Sequence, residues 1–419
     1  MEMPCPQRFR MTCGFAATNP GTKKRPPPTG RPEPNRLTSR RHTHVRQLHT
    51  LPRPRDSRIL SVNMARIAVI PGDGIGIEVT REVMRILQVL DAEMRLGLSL
   101  EAFDFGAERF LRTGVGLPPG QMDVFRTEFD AILLGAMGDP RVPDNAHARE
   151  ILLGLRFGLD LYVNFRPCSP LAERLSPLKG KGPQEIDMTI FRENTEGIYG
   201  AIGGSFKRGT LDEVAIAEEI HTRKGVERII RAAFKWASAH GKRHVALGDK
   251  SNAIAAHGLW LRTFREVAAE YPQIEARHYY VDALALQMVT RPESLQVIVT
   301  TNLFGDILTD LGAALSGGLG VAPSANLNPD STPLFEPVHG SAPELTGKGL
   351  ANPAAMVLSA ALMLEHLGQA GAARRLSTAV QQTVAEGQCT RDVGGTLSTT
   401  EAADAILDRM LQGLRRTRT

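Results

Sequence analysis

The chain has 419 residues, 42% apolar and 23% charged, an ordinary balance for a globular enzyme and enough material for about two domains. No apolar run approaches the ~20 residues with which a helix crosses a bilayer, so no transmembrane segment is expected. The net charge of +5 is unevenly placed, because residues 1–63 carry 13 Lys and Arg against three acidic side chains, leaving −5 for the remainder.

That leader also holds 10 of the 27 prolines and has no helical or strand periodicity. Such a segment cannot bury enough surface to offset its chain entropy, so the reading is a disordered basic segment. Three origins stay open: an untranslated extension ahead of a start at Met64, a targeting segment, or an arm touching an anionic surface. Four scattered cysteines with no metal or redox spacing point to a reducing cytoplasm without structural disulfides.

From Met64 the chain opens on RIAVIPGDGIGIEV, residues 66–79. Gly72, Gly74 and Gly76 form G-x-G-x-G, whereas a dinucleotide fingerprint needs G-x-G-x-x-G and an acid about 20 residues on. The glycines are therefore read as a sharp strand-to-helix corner, since only Gly takes positive φ without steric cost. A helix is expected over residues 78–90, where Val79, Val83, Leu87 and Leu90 recur at helical spacing. Strands are expected at LSLEAFDF, DAILLGA, LDLYVNF, IDMTIFR, RHVALG, EARHYYV and LQVIVTT, with a second long helix over 223–242 and two more after Asn352 and near the C-terminus. The alternation predicts an α/β protein with parallel strands.

The chemistry-bearing residues stand at the ends of these elements. Asp306 and Asp310 lie four apart in a helical stretch, so both carboxylates project from one face. Such a pair is either a solvated polar face or a seat for a hard divalent cation, Mg²⁺ or Mn²⁺. Arg166 and Arg192 each stand where an apolar strand runs out, and Arg156 lies just upstream. Converging guanidinium groups suit a dicarboxylate, because each matches a carboxylate bidentately. Tyr199 follows the polar run RENTEGI, and Lys250 sits just past a buried strand where its ammonium is partly desolvated.

From Met64 onward the chain resembles the metal-dependent β-decarboxylating dehydrogenases of isopropylmalate, isocitrate, homoisocitrate, and tartrate or D-malate. The motifs run in order: IPGDGIG, LLGAMGDP, LRFGLDLYVNFRP, FRENTEGIYG, DKSN, YYVDALALQMV, TTNLFGDILTDL, FEPVHGSAPELTGKGLANP and LMLEHLG. The resemblance implies a two-domain α/β fold that is not a Rossmann fold, with its site in the cleft between domains. One domain would comprise residues 64–161 and 317–419, the other 162–316. Arg156, Arg166 and Arg192 would bind the substrate's carboxylates. Asp306 and Asp310 would hold the metal, joined by Asp282, which would also border the substrate and come from a second subunit. Lys250, from that same subunit, would be the base and Tyr199 the acid. His339, Gly340, Ser341, Ala342, Pro343, Glu344 and Asn352 would bind NAD. Glu344 falls where NAD-using members place an acid that a 2′-phosphate would meet as like charge.

These residues imply oxidative decarboxylation of a small 2-hydroxy dicarboxylate by a cytoplasmic homodimer with shared sites, a tetramer being the larger alternative, without nucleic-acid or membrane partners. Leu152 and Leu153, four and three residues before Arg156, would contact an isopropyl group, an apolar match worth ~1–3 kcal/mol. They favour isopropylmalate over isocitrate. Two departures keep D-malate, tartrate and homoisocitrate open: Arg149 and Glu150 stand one position out of step with the leucine-pathway enzymes, and RENTEGIY is the form of the other branches.

Overall fold

The computed structural model describes residues 64–418; the basic leader and its expected disorder lie outside the described residues. In chain order the elements begin β1 (Ala65–Gly72), α1 (Ile75–Met94), β2 (Leu98–Ala102), α2 (Ala107–Thr113), α3 (Gln121–Glu128) and β3 (Ala131–Ala136). A short helix α4 (Ala146–Ala148) passes through a π-helical turn, Arg149–Leu153, into α5 (Gly154–Gly158). Then come β4 (Val163–Cys168), β5 (Met188–Glu193), the hairpin β6 (Gly203–Phe206) and β7 (Val214–Ala217), α6 (Arg223–Ala239), β8 (His244–Asp249) and α7 (Gly258–Ala268). The chain closes with β9 (Glu275–Tyr280), α8 (Val281–Thr290), β10 (Val297–Thr300), α9 (Asn302–Leu315), β11 (Pro323–Leu327), β12 (Leu334–Pro337), α10 (Ala354–His366), α11 (Ala370–Ala385) and α12 (Thr399–Arg418).

Ten strands form one sheet in the order β2-β1-β3-β12-β11-β4-β5-β10-β8-β9, and β6–β7 stand apart as a two-stranded ribbon. The expectation of parallel strands holds on either side but fails at the centre. There β11 pairs antiparallel with both β12 and β4, and β4 pairs antiparallel with β5. For β11 and β12 the cause is connectivity: only residues 328–333 join them, and a parallel pair needs a crossover of a dozen or more residues.

The helices are placed by their apolar stripes. Helix α1 buries Val79, Val83, Ile86, Leu87 and Leu90 along one face. Helix α6 begins where the Thr222 side chain accepts the Gly225 N–H at 2.9 Å, and it buries Val226, Ile229, Ile230, Phe234 and Trp236. Helix α10 is buried on every side from Ala354 to Glu365, packed between the sheet and α11. By contrast, all eight residues of β6 and β7 are exposed.

Candidate active site

The GDGIG corner is a scaffold for a later loop. A Cβ on Gly72 would lie 2.0 Å from the Ala136 carbonyl oxygen, and one on Gly74 would lie 2.1 Å from that of Ser341. Both residues have positive φ, so glycine is required twice over, by conformation and by close approach. Between them Asp73 is buried and accepts the N–H groups of Ala107 (2.6 Å) and Gly138 (2.8 Å), with His147 Nε2 at 2.8 Å. Ile75 N–H then donates to the Ser341 carbonyl at 2.9 Å, and Gly347 N–H donates to Glu78 of α1 at 2.5 Å.

The loop held in this way carries the residues expected to bind NAD. His339 shares a 3.0 Å hydrogen bond with the Gly340 carbonyl, and burial pushes its pKa down. Ala342 takes a left-handed conformation, φ 38°, just before the short turn Pro343–Leu345. Glu344 is exposed there, and among the described residues it has no hydrogen-bond or ion-pair partner. Asn352 is committed elsewhere: its Nδ2 donates to Asp392 and its Oδ1 accepts the Ala354 N–H, both at 2.9 Å.

The second group gathers around the inner strands. Arg192, near the end of β5 and 3% exposed, donates Nε (3.1 Å) and Nη2 (2.7 Å) to Asn302 Oδ1 and Nη1 (2.5 Å) to Asp306. Its stem crosses α9 at Gly305, where an added Cβ would stand 2.4 Å from Arg192 Cγ. The Tyr199 hydroxyl donates to the other Asp306 oxygen at 2.9 Å, with the Arg192 guanidinium 5.5 Å from its ring centre. Arg156 donates to Glu336 at 2.9 Å, and Arg166 donates through Nε to Asn164 at 3.0 Å.

Charge binds this group together. Burial, reinforced by Arg156, lowers the Arg192 pKa to about 10, and burial lowers that of Arg166 as well. Asp310 moves the opposite way, raised by partial desolvation against the pull of Arg166. Burial, then the Asp306 hydrogen bond, raise the Tyr199 phenol above its usual range, so the proton stays on it. Asp310 has no hydrogen bond or ion pair among the described residues. An exposed carboxylate one turn from Asp306 suits a hard divalent cation, which takes oxygen ligands.

Lys250 and Asp282 pair with each other instead. Nζ donates to Oδ1 at 2.5 Å, and the ammonium pulls the Asp282 carboxyl below its usual range. No hydrogen bond or ion pair among the described residues joins them to the arginine–aspartate group. Leu152 and Leu153 end the π-helical turn, both half-buried, with Leu152 packed against the cluster around Phe125 and Ile151.

A buried polar network escaped the sequence reading. Asn326 Oδ1 accepts from Asn164 (2.9 Å) and Asn194 (3.0 Å), and its Nδ2 donates to Glu336 (2.8 Å), so Arg166 and Arg156 are joined through side chains alone. Asn302 was likewise missed. The available signal was a lone polar residue inside an apolar run, as in YVNF and PSANL.

A family model described as isocitrate/isopropylmalate dehydrogenase matches residues 66–406. The chain belongs to this family. It is therefore an oxidoreductase with the two-domain α/β fold of the isocitrate/isopropylmalate dehydrogenases. Among relatives, the 3-isopropylmalate dehydrogenase of Thermobifida fusca is 45% identical over 356 residues, spanning 84% of this chain and 99% of its own. That of Corynebacterium efficiens is 46% identical over 345 residues, 81% and 98% of the two chains. The isocitrate dehydrogenase of Methylococcus capsulatus has a solved structure that matches with a TM-score of 0.74 at 36% identity, covering 83% of this chain and 99% of that one. The TT0538 protein of Thermus thermophilus matches at 0.76 and 38% identity, over 86% and 71%.

Proposed function

We propose that this enzyme is a 3-isopropylmalate dehydrogenase, oxidising and decarboxylating (2R,3S)-3-isopropylmalate to 4-methyl-2-oxopentanoate in leucine biosynthesis. NAD⁺ is the oxidant and Mg²⁺ or Mn²⁺ the metal. The observation that carries the reading is the convergence of three buried arginines, one of which, Arg166, has no carboxylate partner within hydrogen-bond reach. A dianion supplies that partner, and relatives about 45% identical over nearly their whole length bear the same name.

In this reading Arg156, Arg166 and Arg192 clamp the two carboxylates and so orient C2 for hydride loss. Lys250 takes the hydroxyl proton and Tyr199, kept protonated by burial and Asp306, returns one to carbon after CO₂ leaves. Asp306, Asp310 and Asp282 would hold the divalent ion, which polarises the new carbonyl when bound. The loop from His339 to Glu344, with Asn352, holds NAD, and the free Glu344 carboxylate accepts from the ribose hydroxyls.

The separation of Lys250 and Asp282 from the arginines supports a homodimer, since a second copy would supply them. Helices α8 and α9 expose Leu286, Val289 and Ile307, and the hairpin exposes Phe206, Val214 and Ile216, apolar surface suited to such a partner. The domains divide as 64–161 with 317–419, and 162–316. The strand order supports this, because β2, β1, β3, β12 and β11 lie together and the other five follow. Among the described residues no helix is long and apolar enough to cross a membrane, and we place the enzyme in the cytoplasm.

D-malate is the second reading. Leu152 already packs into the core and so offers less surface to an isopropyl group. NADH production from 3-isopropylmalate, D-malate, tartrate, isocitrate and homoisocitrate, with either ion and then with chelator, tests both readings. A higher kcat/KM for D-malate than for 3-isopropylmalate overturns the first, and full activity in chelator overturns the metal.

A further inference from the structure

Behind Lys250 lies a partly buried cluster that none of these roles uses. His257, fully buried where α7 begins, accepts the Lys250 backbone N–H on Nδ1 at 2.9 Å. Its Nε2 lies 3.2 Å from Glu219 Oε1. A neutral imidazole with a bare Nδ1 carries its proton on Nε2, so Glu219 accepts that proton's hydrogen bond and selects the tautomer. His221 packs edge-on against His257 at 5.3 Å and against Trp260 at 5.7 Å, its Nε2 3.2 Å from the same Glu219 oxygen. Burial pushes the His221 pKa down, which favours the neutral ring.

Two histidines and a glutamate so close are also a metal-ligand set. The hydrogen bonding decides against it. A cation on His257 Nε2 would move the ring proton to Nδ1, straight against the Lys250 N–H. His221 Nδ1 would also need an acceptor, and it has none among the described residues.

We propose that His257, oriented by Glu219, is a positioning residue for Lys250. The inference rests on the reading of Lys250 as the base. The main chain of Lys250 is held at both ends: His257 takes its N–H, and its carbonyl accepts from Ala253 (2.9 Å) and Ile254 (2.8 Å). Fixing the Cα from which a long, flexible side chain starts narrows the volume its ammonium explores. The same segment reaches the acid. Ile220, beside Glu219, accepts the N–H of Gly197 at 2.8 Å, two residues before Tyr199. Residues 219–221 thus join the loops that carry the acid and the base.

The test compares two substitutions in the full chain. His257→Asn keeps an acceptor where Nδ1 stands; His257→Gln keeps a donor toward Glu219 but offers Lys250 nothing. The expected result is kcat about tenfold to a hundredfold lower for H257Q, with KM within about twofold, and kcat for H257N within about threefold of the parent. Glu219→Met should lower kcat in the same sense, and it serves as the readout if H257Q does not fold. Equal impairment of H257N and H257Q, an unimpaired H257Q, or stoichiometric zinc lost on H257Q substitution would each overturn the proposal. Lys250→Met separates the two readings: if K250M turns over normally, the assignment of the base fails, whereas a dead K250M beside a fully active H257Q sinks only the positioning role.

Discussion

Arg166 and Arg192 are both buried, yet the structure treats them differently. Arg192 spends its guanidinium on Asn302 and Asp306, whereas Arg166 gives one hydrogen bond, to Asn164. Removing one member of a buried pair strands the other, while removing a buried charge with no paired carboxylate relieves its desolvation. Arg166→Met should therefore leave the melting temperature unchanged or higher while raising KM about a hundredfold; Arg192→Met should lower both stability and activity. Thermal melts beside steady-state kinetics check the contrast, and a strongly destabilised R166M would refute it. A second residue-scale effect lies far from the site. Burial against Phe335 pushes the His366 pKa down to about 4 from 6.5. The native state thus binds fewer protons than the unfolded chain, so stability is full above pH 6.5 and falls as pH drops toward 4, by up to about 3 kcal/mol. Urea unfolding of His366→Leu between pH 7.5 and 4.5 should show a shallower decline than the parent; His221 and His339, lowered in the same sense, retain part of it. Arg166 and Arg192 stood out because charge near the end of an apolar strand is conspicuous, and Asp306 and Asp310 because their spacing of four puts two carboxylates on one face of a helix. Asn164, Asn302 and Glu336 did not, because one polar residue in such a run reads the same whether it faces a ligand or a neighbour.

At the scale of elements, the strands with long apolar runs were read to within a few residues, since a doubly covered strand has few ways to be polar. Strands β6, β7, β11 and β12 were missed: the first two are exposed ribbon, and the last two are short. Ahead of Arg156, residues 149–153 form a π-turn, which accommodates one residue more per turn. This is the place where Glu150 stands one position late, and Glu150 instead accepts the N–H groups of Gly116 and Leu117 at 3.0 Å. The corner after β1 allows a sharper forecast. Gly74 has φ 56° and ψ −129°, and the Ser341 carbonyl occupies the space a side chain would need. Gly74→Ala should cost more than about 2 kcal/mol and raise KM for NAD more than KM for the hydroxy acid. Denaturant melts and paired KM values test this; an unchanged KM for NAD would detach the corner from the cofactor loop.

For the whole molecule, the proposed dimer would determine whether the site is complete. Leu286 of α8 is 64% exposed, and Ile307 of neighbouring α9 is 59% exposed. Leu286→Glu should halve the mass seen by light scattering and abolish turnover, because Lys250 and Asp282 would no longer reach the arginines of the other copy. A fully active monomer would show that each chain completes its own site.

The reversal of strand direction between β12 and β5 carries a last consequence. In a flat sheet, loops leaving the ends of β1, β3 and β12 would emerge on the opposite edge from those leaving β5, β10 and β8, keeping cofactor and hydroxy acid apart. Ordinary twist of about 20–25° per neighbour, accumulated over the seven steps from β1 to β8, would turn the far strands through about 150°. With that winding, the two ends of the sheet, antiparallel in pairing, would point nearly the same way, and the loops proposed to carry hydride donor and acceptor would face each other because the sheet is wound rather than level.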